Sequence, residues 1–126
     1  MKKRILVVED EKHLAETIKL NLEIEEYHPI VVHDGSAAIS TFREQRFDLV
    51  ILDIMIPNID GIAVCENIRL HDSDVPIMFL SAKSSSEDRI LGLKKGADDY
   101  LTKPFNLEEL MLRIDKLITR NEESSR

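Results

Sequence analysis

Residues able to carry phosphoryl chemistry stand where short apolar segments of this chain end: Glu9 and Asp10, then Asp53, then Ser81, then Lys103. Carboxylates crowded together raise one another's pKa unless a cation neutralises them, so three of them in one place predict a bound dication. Oxygen-only donors suit Mg²⁺, which takes one or two carboxylates and keeps waters that a phosphate oxygen can replace. Zinc fits poorly, since His13, His28, His33 and His71 show no ligand spacing and Cys65 stands alone. An aspartate can act as a nucleophile and become an aspartyl-phosphate. A lysine can hold one phosphoryl oxygen while a hydroxyl bonds another, and phosphoryl transfer needs little beyond such positioning and charge stabilisation.

The elements that must position these groups are legible as alternating patterns. Ile5-Leu6-Val7-Val8, Leu49-Val50-Ile51-Leu52 and Ile77-Met78-Phe79-Leu80 are short, nearly continuous apolar runs, as buried parallel strands are. Two weaker strands are expected from His28 to Val32 and from Asp99 to Thr102. Between them lie helical patterns. Leu14, Ile18 and Leu22 recur at helical spacing, and from Asn106 to Arg120 the residues Leu107, Leu110, Met111, Ile114, Leu117 and Ile118 form one face. Asn106 is placed to cap that last helix, Ser84 with Glu87 reads as a capping box, and Gly96 as a helix stop. Asp34-Gly35 and Asp60-Gly61 open two more helices, the second carrying Cys65 on its apolar face as a core residue.

Five strands alternating with five helices predict an α/β fold, a doubly wound parallel sheet with right-handed crossovers and helices on both faces. Ligands of such sheets bind outside the carboxyl ends of the strands, near the switch in strand order. That rule gathers Glu9, Asp10, Asp53, Ser81 and Lys103 at one edge.

At 126 residues, with 43% apolar and 33% charged residues, the chain has the size and composition of one globular domain. The domain is read as residues 1–120, with 121–126 a disordered tail or the start of a linker. The net charge of −7 argues against a nucleic-acid surface, which concentrates Lys and Arg. No apolar stretch approaches the roughly 18 residues of a membrane span, and the basic start at Met1-Lys2-Lys3-Arg4 leads within a few residues into Glu9-Asp10-Glu11. A lone cysteine gives no sign of an oxidising compartment, so a cytoplasmic location is expected.

Each residue has a plainer reading by itself. Glu9-Asp10-Glu11 could favour a helix dipole, Asp53 could be a turn residue, Ser81 a capping neighbour and Lys103 a surface charge. Their joint occurrence in order at successive strand ends favours a site. The set Glu9-Asp10, Asp53, Ser81 and Lys103-Pro104 resembles the motif of response-regulator receiver domains of two-component systems, over nearly the whole chain. The resemblance implies a flavodoxin-like fold with strand order 2-1-3-4-5. It implies Asp53 as phosphoacceptor, Mg²⁺ held by Glu9, Asp10, Asp53 and the backbone carbonyl of Met55, and Lys103 paired with the phosphoryl group. Ser81 becomes the switch hydroxyl, Tyr100 an aromatic that turns inward on activation, and Lys103-Pro104 a cis bond.

By the same resemblance the donor is a sensor histidine kinase, and the domain is no enzyme beyond assisting its own phosphorylation and dephosphorylation. Output passes through the surface of the fourth helix, fifth strand and fifth helix. Gly92 to Phe105 is similar to regulators with a C-terminal winged-helix DNA-binding domain, the OmpR/PhoB class. That similarity implies transcription regulation and a phosphorylation-promoted homodimer, with Arg89, Asp98, Asp99, Glu109 and Arg113 as candidate dimer-face charges. Lys94 and Asp115 depart from the usual pattern there. A stand-alone receiver acting by protein contacts is the alternative. An aspartate-nucleophile phosphatase is disfavoured because Met55 stands where its second acid would be, and a pseudo-receiver because the acid set is intact.

Overall fold

Strand and helix alternate without interruption. The computed structural model describes residues 1–124. Its elements are β1 (Arg4–Val8), α1 (Lys12–Ile24), β2 (His28–Val32), α2 (Gly35–Glu44), β3 (Leu49–Leu52), α3 (Gly61–His71), β4 (Ile77–Ser81), α4 (Ser86–Lys94), β5 (Asp99–Thr102) and α5 (Leu107–Ser124). Neighbouring strands are all parallel, in the order β2-β1-β3-β4-β5.

Because side chains alternate along a strand, each run feeds two cores. Leu6, Val8, Val50, Leu52, Ile77 and Phe79 face one side, where α2 and α3 add Ala38, Val64, Cys65 and Ile68. Ile5, Val7, Leu49, Ile51, Met78 and Leu80 face the other, where α1 adds Ile18 and Leu22 and α5 adds Leu110, Ile114, Leu117 and Ile118. Both faces are thereby covered, which is why the central strands are apolar between Arg4 at the start of β1 and Ser81 at the end of β4.

Most local signals hold. Asp34 and Asp60 cap α2 and α3 by accepting from the Ala37 and Ala63 N–H groups, and Asn106 accepts from the Glu109 N–H at 3.1 Å. Gly96, at φ 117°, follows the end of α4 in the left-handed conformation that glycine accommodates. Two expectations need correction. The cap of α4 is Ser85, not Ser84: its hydroxyl accepts from the Asp88 N–H at 3.0 Å, so the pair is shifted by one residue along a run of serines. The chain beyond Arg120 is not a separate tail as far as it is described, since α5 runs on to Ser124 and Lys3 lies 3.6 Å from Glu122. Asn121, Glu122 and Glu123 include no Gly or Pro to stop the helix. Residues 125 and 126 lie outside the described residues.

Candidate functional site

Register decides which residues meet. Val8 pairs with Leu52, so Glu9 and Asp53 leave adjacent strands at the same level. Ser81 pairs with Thr102, so Lys103 enters one residue later. The strand order reverses between β1 and β3, and this is the crevice where open α/β sheets bind ligands.

Glu9 and Asp53 are 1% and 5% exposed, an unusual depth for two carboxylates. The Lys103 ammonium makes that possible. Its Nζ lies 2.8 Å from Glu9 Oε1, 2.9 Å from Asp53 Oδ2 and 3.3 Å from Glu11 Oε2. Burial alone would lower the Lys103 pKa, but its bonds to Glu9 and Asp53 overcome this and raise it above the usual lysine value. Glu9 is raised above the ordinary carboxyl range, first by burial, with the Asp53 charge adding to it against the pull of Lys103 and the Glu11 N–H. Asp10 is exposed at the mouth. The Met55 N–H donates to Asp53 Oδ1 at 3.1 Å, and the Met55 side chain lies 59% exposed beside the opening.

Two glycines let the loop after Asp53 close tightly. A Cβ on Gly61 would stand 2.2 Å from the Asp53 carbonyl oxygen, and one on Gly35 1.9 Å from that of Ile59. The Gly61 N–H donates to Ile54 O at 2.8 Å, and the Gly35 N–H to Pro57 O at 3.1 Å.

The hydroxyl of Ser81, fully buried, accepts from the Lys83 N–H at 3.2 Å. The Tyr100 hydroxyl donates to the Lys83 carbonyl at 2.6 Å, and its ring lies tilted 55° to that of Phe79 with centroids 5.9 Å apart. Burial is the main cause that raises the Tyr100 phenol pKa, against a lowering by the Ser81 hydroxyl. Tyr100 is thus turned inward, 8% exposed. The Lys103-Pro104 bond is cis.

One comparison decides the family: the model of the response regulator receiver domain matches residues 5–115. The chain is a response regulator receiver domain. It is similar to the DNA-binding response regulator MtrA of Mycolicibacterium smegmatis, 47% identical over 98% of this chain and 54% of that protein. Response regulator ArlR of Staphylococcus saprophyticus is 43% identical over 93% of this chain and 53% of its own length. The receiver therefore spans about half the length of the curated relatives it matches. Among solved structures, the receiver domain of the Francisella response regulator 1452 superposes with a TM-score of 0.90 at 37% identity, covering 94% of this chain and 98% of that one.

Receiver domains bind Mg²⁺ at an acidic pocket, and the residues present here fit that ion. Carboxylate oxygens of Glu9, Asp10 and Asp53 lie within 4.8 Å of one another. The buried Glu9 Oε1 faces the Lys103 ammonium at 2.8 Å. Three acids facing one ammonium leave net negative charge at this spot, and oxygen donors of this kind suit a hard cation.

Four of the five charges considered for a dimer face are drawn into contacts within the chain. Arg113 chelates Asp99 at 2.8 and 3.0 Å and reaches Glu109 Oε2 at 2.9 Å. Asp98 accepts from Arg69 at 3.0 Å and from the Ile77 N–H at 2.9 Å. Arg89 is exposed.

Sequence reasoning gave no role to three participants. Glu11 could have been found, since it extends the Glu9-Asp10 run. The Lys83 backbone serves both Ser81 and Tyr100, which side-chain identity does not announce. Arg69 gathers the carbonyls of Gly96, Asp72 and Val75 together with Asp98, four partners brought to it only by the fold.

No helix among the described residues is long and apolar enough to cross a membrane.

Proposed function

We propose that this receiver is a phosphorylation-activated switch that accepts a phosphoryl group on Asp53 from a sensor histidine kinase. The observation that carries the reading is the buried Asp53 carboxylate, with the Lys103 ammonium 2.9 Å from one of its oxygens and the acids Glu9 and Asp10 beside it. A carboxylate oxygen of Asp53 attacks phosphorus as the phosphohistidine P–N bond breaks. The product is an acyl phosphate, and the bonding electrons leave with the imidazole, which is neutral once protonated. Bound Mg²⁺ supplies neutralisation of the phosphoryl charge, held by Glu9, Asp10, Asp53 and the Met55 carbonyl. Lys103 orients the group and offsets charge on its oxygens. An apolar groove lined by Leu14, Met55, Ala82, Phe105 and Leu107 borders Asp53 and suits the approach of a helix bearing the donor histidine.

The phosphoryl group draws Ser81 and Lys103 toward it and favours the inward ring of Tyr100. That two-state change alters the surface of α4, β5 and α5. A weak homodimer promoted by phosphorylation follows, with Arg89, Asp98, Asp99, Glu109 and Arg113 supplying its charges. Exposed pairs are each worth under about 1 kcal/mol, so the dimer is salt-sensitive. The catalysis is confined to the domain's own phosphorylation and dephosphorylation. Similarity to DNA-binding regulators about twice this length supports a transcription role exercised through a separate C-terminal winged-helix domain. Residues 1–120 carry the switch, and α5 runs on past them to Ser124. The net charge of −7 suits a receiver that leaves DNA contact to that other domain. The cytoplasm, where the kinase's donor histidine resides, is the proposed location.

Intact-mass spectrometry after incubation with acetyl phosphate tests this reading. One phosphoryl adduct is expected, dependent on Mg²⁺ and lost in Asp53→Asn. An adduct that persists in Asp53→Asn, or no adduct under fast quenching with a cognate kinase, overturns it.

A further inference from the structure

Helix α4 rests on the sheet through a glycine. Gly92 is its only buried residue, while Ile90, Leu91 and Leu93 around it are about half exposed. A glycine inside a helix costs about 1 kcal/mol relative to alanine, so its presence calls for a packing reason. The reason is on the far side of the contact. A Cβ at this position would lie 3.0 Å from Phe79 Cδ2 and 3.0 Å from both Cδ2 and Cε2 of Tyr100. A Cβ here would press on two rings from neighbouring strands, so one of them would have to give by a few tenths of an ångström.

The two rings differ in their freedom to yield. Phe79 is fully enclosed in the core. Tyr100 sits at the rim, and its hydroxyl is held by a hydrogen bond to the Lys83 carbonyl. If a methyl group entered at Gly92, Tyr100 is the ring that can leave.

We propose that Gly92 is the opening in α4 that admits the Tyr100 ring to its inward position, and so the residue through which α4 responds to that ring. The inference rests on Tyr100 being the switch aromatic, as proposed above. It assigns Gly92 a positioning role distinct from phosphoryl uptake, because Gly92 is not among the residues that meet Asp53 or Lys103. An alanine there leaves the chemistry intact and excludes the inward ring, uncoupling phosphorylation from the α4 surface.

The chain has two tyrosines and no tryptophan, so a Tyr27→Phe background makes Tyr100 the sole fluorescent reporter. Acrylamide quenching of its emission, with and without acetyl phosphate and Mg²⁺, reads ring exposure, while intact mass reads phosphoryl occupancy in the same samples. In the parent background the ring is shielded. Gly92→Ala is expected to raise the quenching constant at least twofold, with phosphoryl occupancy unchanged and phosphorylation-promoted dimerisation lost. Adding Phe79→Leu to Gly92→Ala returns space to the rings and should restore shielding, which a general weakening of α4 would not do. Equal shielding in the parent and in Gly92→Ala, with both phosphorylated, overturns the role of Gly92 alone. A parent that takes no phosphoryl group overturns the switch reading and this inference with it.

Discussion

Replacing Lys103 by methionine removes the cation from two buried carboxylates while keeping most of the side chain's volume. In the native protein its Nζ lies within 3.3 Å of Glu9, Asp53 and Glu11, and the side chains of Glu9 and Asp53 are only 2% and 6% exposed. Breaking a buried ion pair by deleting one partner costs about 3–5 kcal/mol, because the remaining charge is left uncompensated. The cost here should lie near the lower end, about 3 kcal/mol, since the mouth at Asp10 admits water. A cation offers the same carboxylates another partner, so Lys103→Met should gain more from Mg²⁺ than the native chain does. An ion present at about 100 times its dissociation constant contributes about 2.7 kcal/mol, and the gap closes by the amount by which the variant's gain exceeds the native chain's.

Acid should close it as well. Glu9 has its pKa raised, so its unfavourable burial as a charge is relieved as pH falls through that raised value and is fully relieved below 4.5. Lys103, also raised, keeps its contribution below its unfolded value of 10.5 and loses it only as pH rises through the higher folded value. Urea denaturation of both proteins in EDTA and in excess Mg²⁺, at neutral pH and near pH 4, measures all four conditions. A gap under about 1 kcal/mol in EDTA at neutral pH, or one indifferent to both Mg²⁺ and acid, would refute the view that Lys103 compensates buried charge.

Other measurements probe the surroundings. Gly35→Ala should lose more than about 2 kcal/mol, since its Cβ would stand 1.9 Å from a backbone oxygen that cannot move alone; thermal unfolding checks this, and a change within experimental error would show the loop to be pliable. The Cys65 thiol, pushed up to about 11 chiefly by burial, should resist disulfide reagents at pH 8 in the native state and react promptly in urea. Tyr27 and Tyr100 both have phenols raised above 10.0, mainly by burial, and Tyr27 also bonds Asp115. Raised groups stabilise below their unfolded value and lose that contribution as pH rises through the folded one, so native absorbance near 295 nm should titrate later than in urea, with stability falling above pH 10.

Much of this domain was legible because its signals are local or periodic. The central strands announce themselves as unbroken apolar runs, since burial on both faces leaves no place for polar residues. Alternation with helices dictates a parallel sheet, and the strand-end rule gathers Glu9, Asp10, Asp53, Ser81 and Lys103 from sequence alone. Capping was readable to within a residue, though a run of serines could not say which one faces the Asp88 N–H. The helical continuation past Arg120 escaped notice because charged residues without an apolar face carry no periodicity. What only the tertiary structure decided are quantities set by approach between distant segments. They include the third carboxylate on Lys103, the capture of Asp98 by Arg69 and the space at Gly92 taken by two rings. Each depends on distances between segments far apart in the chain, and a sequence fixes which groups exist long before it reveals how closely packing will press them together.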